Sequence, residues 1–445
     1  MTQAPSLRRA LGRWDLTAIG VNQVIGSAIF LLPADVARLV GPWGPLAFMA
    51  VGLLSLSIAL CFAEAGSRFE KTGGPYLPAR AAFGRFVGFE VGWMMWFTRV
   101  TSQASVANGL ALALAFYWPS LAGGVPRMSL IAALTLALTW INVRGIKQSS
   151  LVVNALTIGK LVPLAVFIIV GIWYIDPASL TTLPPVTREN GAAAAILLIF
   201  AYGGYEVTGV LAGEAANPRR DVPFAFVATL IIVSIVMSLT SVVATGVLPD
   251  LAATKTPLAD GAAIFLGAVG ALMISVGSAL SMTGNNMGQI LNGSRTLFAL
   301  AENGDLPRWF AYVHPKYQTP SNAVLFTAVA ALTLALTGSF VTLAAVSAIA
   351  RLVMYLAVCI STLVLRRRTP VGDVGPAKFT VPLGPVIPVL ASLVALGILA
   401  GATPQQRNAG LYALAAGAVL YLIATNTSLG STPRLRSGQA ESRKH

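Results

Sequence analysis

The stretch Gln23-Val24-Ile25-Gly26-Ser27-Ala28-Ile29-Phe30-Leu31-Leu32-Pro33 lies inside the first long apolar segment of the chain. An uninterrupted membrane helix would hold neither its glutamine, its Gly-Ser pair nor its proline. Backbone freed from helical hydrogen bonds at membrane depth is tolerated only where it is buried in protein or lines a cavity. The stretch therefore predicts a span that is built to break, and a site at the break.

Composition supports a membrane setting. Of the 445 residues, 56% are hydrophobic and 10% charged, too few polar side chains to cover a soluble globule. Apolar runs able to cross a core of about 30 Å, about 20 residues each as helix, fall at 15–40, 45–66, 86–117, 127–143, 148–175, 192–212, 223–248, 262–297, 321–338, 340–365, 385–403 and 408–426. These predict an all-α polytopic membrane protein with twelve transmembrane helices. The first run is too long, and wrongly flanked, for a cleaved signal peptide. Cys61 and Cys359 sit in apolar runs as packing residues, and His314 and His445 have no metal-ligand spacing around them. Neither a metal nor a cofactor is expected.

The net charge of +14 is explained by topology. With the N-terminus inside, the outer loops hold Arg38, Arg127, Arg188, Lys255 and Arg407, and the spans hold Arg99, Lys160 and Arg351. The remaining 22 of the 30 basic residues lie in inner segments. That bias puts both termini in the cytoplasm by the positive-inside rule and leaves nucleic acid no part in the account. A cytoplasmic or plasma membrane location follows.

A second interruption, Phe200-Ala201-Tyr202-Gly203-Gly204-Tyr205-Glu206, falls in the sixth apolar segment. Broken first and sixth spans are what inverted five-helix repeats produce, with substrate and coupling ion held where the breaks meet. Close helix packing is the other use of such glycines, but two breaks in corresponding halves favour a site. The outer half of span one, starting near Ile29, points its amides and positive dipole end at the midplane, which suits a carboxylate. Pro33 fits as a proline in the first turn of that half. The outer half of span six ends near Tyr202 and leaves the carbonyls of Phe200, Ala201 and Gly203 at the same depth, which suits an ammonium. Together these outline a free α-amino acid.

Several strings resemble the amino acid-polyamine-organocation (APC) permeases. They are Ile25-Gly26-Ser27-Ala28-Ile29-Phe30, Lys71-Thr72-Gly73-Gly74-Pro75-Tyr76, Asn142-Val143-Arg144-Gly145, the Phe200 to Gly204 break, the loop from Gly213 to Pro223, and Glu302-Asn303-Gly304-Asp305-Leu306-Pro307. The resemblance covers about the first 370 residues. It implies a LeuT-type 5+5 inverted repeat with broken helices 1 and 6, plus two extra helices. The units are then a cytoplasmic N-terminus at 1–14, repeats at 15–175 and 192–365, two further spans at 385–426, and a basic cytoplasmic tail at 431–445. By matching positions, the backbone of Gly26, Ser27 and Ala28 would hold the carboxylate. The carbonyls of Val24, Phe200 and Gly203 would hold the ammonium, with the Phe200 ring closing over the substrate. Ala28 departs from the family's usual glycine, and its methyl group restricts the backbone there.

Coupling requires ionisable groups in the spans. Lys160 lies mid-span, where burial disfavours the charged amine, so it is the proton-site candidate; snorkelling to the interface is its bland alternative. The resemblance agrees, since this lysine stands where sodium-coupled relatives bind an ion. Pro163 frees the Gly159 carbonyl and loosens the helix beside it. Ser281, Asn285, Gln289 and Asn292 share one face of span eight and offer Lys160 its partners, Asn285 and Gln289 foremost, or else simple interhelical hydrogen bonds. Glu206 is either a second proton carrier or a fixed bridge to Arg99 or Arg351. Thr98, Ser102, Tyr205 and Ser347 belong to the walls of spans three, six and ten without assigned places.

The expected function is secondary transport of amino acids by proton-coupled symport, with amino acid or amine exchange as the alternative. No nucleotide-binding lysine loop is present. An enzyme would need a nucleophile and base at one depth, and no His or Cys is placed to serve.

Overall fold

The computed structural model describes residues 11–69, 73–144, 150–181, 183–368 and 374–429. The predicted tail 431–445, most of the N-terminal segment, Lys71, Thr72 and Gly145 lie outside the described residues. Helices account for every predicted apolar segment. α1 (Arg13–Val24) and α2 (Ala28–Val40) flank residues 25–27, where the first segment breaks. They are followed by α3 (Gly44–Gly66), a short α4 (Tyr76–Phe83), α5 (Arg85–Leu114), α6 (Gly124–Arg144) and α7 (Ser150–Gly171). The one-turn α8 (Ala178–Thr181) precedes α9 (Arg188–Ala201) and α10 (Val207–Val210), which flank the second break at 202–206. The remainder is α11 (Pro218–Val247), α12 (Pro257–Glu302), α13 (Ser321–Thr337), α14 (Phe340–Arg366), α15 (Val386–Ala400) and α16 (Pro404–Leu429).

Local chemistry sets the helix starts. The Thr187 Oγ1 accepts the Asn190 amide at 3.2 Å and Ser339 Oγ accepts the Thr342 amide at 3.3 Å, capping α9 and α14. Pro218 and Pro257 occupy first helical positions, where a missing N–H costs nothing. Six helical stretches among the described residues are long and apolar enough to cross a membrane, and three shorter apolar helices accompany them. Leu136, Ile169, Ile235, Val329, Leu393 and Leu422 are all more than half exposed, an apolar girdle that only lipid would cover favourably. The chain is a multi-pass membrane protein.

α5 is buried around most of its circumference and packs against both α12 and α14, while α3 packs against α11. The two halves of the first broken segment lie against α11 and α9 respectively. At one end of the bundle, two of the sequence strings meet. Tyr76 Oη donates to Asp305 Oδ2 at 2.9 Å, Arg85 Nε donates to Asp305 Oδ1 at 2.6 Å, and Arg80 hydrogen-bonds the Tyr76 hydroxyl. Burial, with the Asp305 carboxylate beside it, pushes the Tyr76 hydroxyl up to about 12, so it stays a donor. Glu64 is likewise fully buried and bidentate to Arg366, tying α3 to α14.

Two expectations are corrected. Pro33 is not in the first turn of α2: that helix begins at Ala28, so Pro33 sits in its second turn and leaves the Ile29 carbonyl without its helical donor. The predicted span 262–297 runs across an interruption at Gly267, with φ 62° and ψ −157°, a conformation that favours glycine. Nothing in its apolar surroundings distinguished this glycine from a packing one.

Candidate functional site

The two breaks face each other. Gly204 has φ +130°, and a Cβ there would lie 2.7 Å from the Gln23 carbonyl oxygen, so only glycine lets the second break approach the first. At the first break the Ile25 amide closes the last turn of α1 on Val21 O, and the Gly26 amide donates to Val24 O at 2.8 Å. The amides of Phe30 and Leu31 both return to Ser27 O. Among the described residues the amides of Ser27, Ala28 and Ile29 take no backbone acceptor, the ordinary condition of a helix N-terminus. At the second break the Gly203 amide donates to Phe200 O at 3.1 Å, and the Gly204 amide donates to Glu206 Oε2 at 2.8 Å.

Between them lies a narrow void of about 20 Å³, lined by Gln23, Val24, Gly26, Ser27, Ala28, Ser102, Val106, Phe200, Gly203, Asn285, Gln289 and Arg351. That is room for about one water molecule. Gln23 Oε1, Ser27 Oγ and Arg351 Nη1, on residues that line this cavity, are buried without hydrogen-bond partners. Buried polar atoms are ordinarily satisfied, so three such atoms around one void mark a place for a polar ligand.

Lys160 is fully buried, and its Nζ donates to the carbonyls of Asn22 and Ile25, each at 2.9 Å. It does not snorkel. Its expected pairing with Asn285 and Gln289 is not formed. Asn285 Nδ2 instead donates to Gln23 O at 2.8 Å, and Gln289 Nε2 donates to Asn285 Oδ1 at 3.2 Å. Ser281, from the same stripe, donates to Ile25 O at 3.0 Å. The stripe and Lys160 thus converge on the broken backbone rather than on one another, because a break exposes carbonyls that need donors. Helix α7 continues through Pro163.

Glu206 takes the bridge position. Its Oε1 lies 3.2 Å from Arg99 Nη2 and 3.7 Å from Arg351 Nε, with all three side chains buried. Tyr355 Oη donates to Oε2 at 3.4 Å. Glu206 does not line the cavity, whereas Arg351 does.

Of the residues expected to bind substrate, Val24, Gly26, Ser27, Ala28, Phe200 and Gly203 line the cavity and Ala201, though buried, does not. The Gly26 amide is already engaged, so Ile29 replaces it among the free donors. The Arg351 guanidinium lies against Gly203, where a Cβ would meet it. Phe200 packs edge-on to Phe340, their centroids 6.2 Å apart. Gln23 and Val106 carried no expectation; a glutamine beside a Gly-Ser break was the available signal for Gln23. Ser102 joins the wall, held by Ser347 Oγ at 2.7 Å.

Comparisons with known proteins identify the family. The family model described as amino acid permease matches residues 11–424. Similar proteins from Bacillus subtilis include the serine/threonine exchanger SteT, 30% identical over 88% of this chain and 90% of that one. A methylthioribose transporter is 29% identical over 89% of this chain and 88% of its own, and the branched-chain amino acid permease BcaP is 29% identical over 88% of each. With breaks, cavity and sequence in accord, the chain belongs to the amino acid permease family.

Proposed function

We propose that the protein is a secondary transporter that carries an amino acid across the cytoplasmic membrane by alternating access around the two breaks. Its arrangement would be twelve spans of LeuT type, repeats at 15–175 and 192–365, and both termini cytoplasmic. The packing of α3 on α11 and of α5 on α12, corresponding members of the two halves, supports that arrangement.

The observation that carries the reading is the small cavity between two broken helices, with orphaned polar atoms on its walls. In this account the α-carboxylate takes the free amides of Ser27, Ala28 and Ile29, aided by Ser27 Oγ and the dipole of α2. The ammonium takes the carbonyls of Val24 and Phe200, each of which keeps a second lone pair. Lys160 is the proton carrier. A protonated Nζ holds the Asn22 and Ile25 carbonyls more strongly than a neutral amine, so its titration alters the geometry of the break that binds substrate. Glu206, between two arginines, stays ionised as a structural bridge.

Exchange of amino acids is the second reading, supported by the likeness to a serine/threonine exchanger. A thermal-shift screen of the detergent-purified protein against the twenty amino acids and several polyamines, at two pH values, tests the site. Stabilisation by compounds with both an α-amino group and a carboxylate is expected, and its absence would overturn the site.

A further inference from the structure

We propose that the transported amino acid carries a second carboxylate on its side chain, and that Arg351 recognises it. This deepens the amino acid reading and rests on it. Arg351 is 1% exposed, lies on the cavity wall, and fills the space that a side chain at residue 203 would need. Its Nη2 donates to Ser102 Oγ at 3.2 Å, while Nη1 has no hydrogen-bond partner.

Charge indicates which side chain fits. Arg99 and Arg351 cannot lose their protons, yet they share the single carboxylate of Glu206, whose Oε1 is closer to Arg99 (3.2 Å) than to Arg351 (3.7 Å). One positive charge is therefore left uncompensated in a buried site, an arrangement that is costly unless an anion completes it. No acidic side chain lines the cavity. The Tyr355 hydroxyl faces Glu206 and Arg351, bringing no charge of its own, and Lys160 adds a further basic group behind the first break. An α-carboxylate has its own donors at the start of α2, so the charge on the opposite wall calls for another acid. A cationic side chain would meet the Arg351 guanidinium on the cavity wall, so such substrates are disfavoured.

The test is a thermal-shift titration of the purified full-length protein with L-aspartate, L-glutamate, L-asparagine, L-glutamine, L-serine, L-leucine and L-lysine, in chloride and in gluconate buffers. One or both acids should half-saturate at a concentration about tenfold or more below that of the matching amide, the range expected for a charged hydrogen bond, in either buffer. Arg351→Gln, which leaves Arg99 and Glu206 as a balanced pair, should bring the acid-to-amide ratio towards one; Arg351→Lys should retain part of it. Amides or neutral amino acids binding as tightly as the acids would overturn the inference and leave amino acid transport standing. So would neutral amino acids that bind tightly only in chloride, which would make the anion a separate ion. An Arg351→Gln variant with full acid preference would remove the role from Arg351. If no amino acid stabilises the wild type, the underlying site itself is wrong.

Discussion

Gly203 and Arg351 occupy one another's space: the glycine lacks a side chain and the guanidinium fills the gap. Gly203→Ala would set a methyl group against the Arg351 guanidinium, so the arginine must shift. We expect a correctly inserted protein whose amino acid uptake falls by about tenfold or more, the scale of a lost charged hydrogen bond, measured against wild type at equal reconstituted amount. Undiminished uptake would show that the position of Arg351 is irrelevant to the site. This pair also marks the limit of what could be read from the sequence. The glycine strings are local signals, so Val24, Gly26, Ser27, Ala28, Phe200 and Gly203 could be placed by helix chemistry and resemblance. Arg351 and Ser102 could not, because their partners lie in the second break, on α5 and on α14, far away in sequence. The same holds for Lys160 and Asn285: their polarity was evident, but which carbonyls they serve depends on where the break exposes them.

At the scale of elements, the chain spends its buried charge on joints. Asp305 receives Tyr76 and Arg85 from the segment around α4, so the loop after α12 is locked to the start of α5. Asp305→Ala would leave the buried Tyr76 hydroxyl without its acceptor at a cost of about 1–3 kcal/mol, with Arg85 adding little because it is 43% exposed. Lower resistance to thermal unfolding in detergent, with substrate affinity retained, is the expected outcome. A variant as stable as wild type would deny the clamp. Helix positions were legible because long apolar runs and proline or hydroxyl caps are sequence-local. The start of α2 relative to Pro33 and the turn at Gly267 were not, since a glycine or proline in an apolar run looks alike whether it packs, kinks or breaks.

At the scale of the molecule, orientation rests on the distribution of basic residues, and accessibility tests it. Cys61 and Cys359 are both buried, so single cysteines introduced elsewhere report cleanly. Lys255→Cys and Lys316→Cys replace exposed residues at opposite ends of the bundle. A membrane-impermeant thiol reagent applied to intact cells should label the first and reach the second only after permeabilisation. The reverse pattern would invert the topology, and labelling of both from outside would break it. Twelve apolar runs and their charge bias carry this reading, whereas the three-way meeting of Arg99, Glu206 and Arg351 belongs to the folded bundle alone.

The most direct measurement is uptake of labelled amino acid into proteoliposomes that contain no internal substrate, with the outside made acidic relative to the lumen. The account predicts accumulation above equilibrium that collapses when the pH gradient is dissipated, and that Lys160→Ala loses while remaining folded and able to bind substrate. Uptake that appears only when the lumen is preloaded with amino acid, or accumulation that persists in Lys160→Ala, would contradict it.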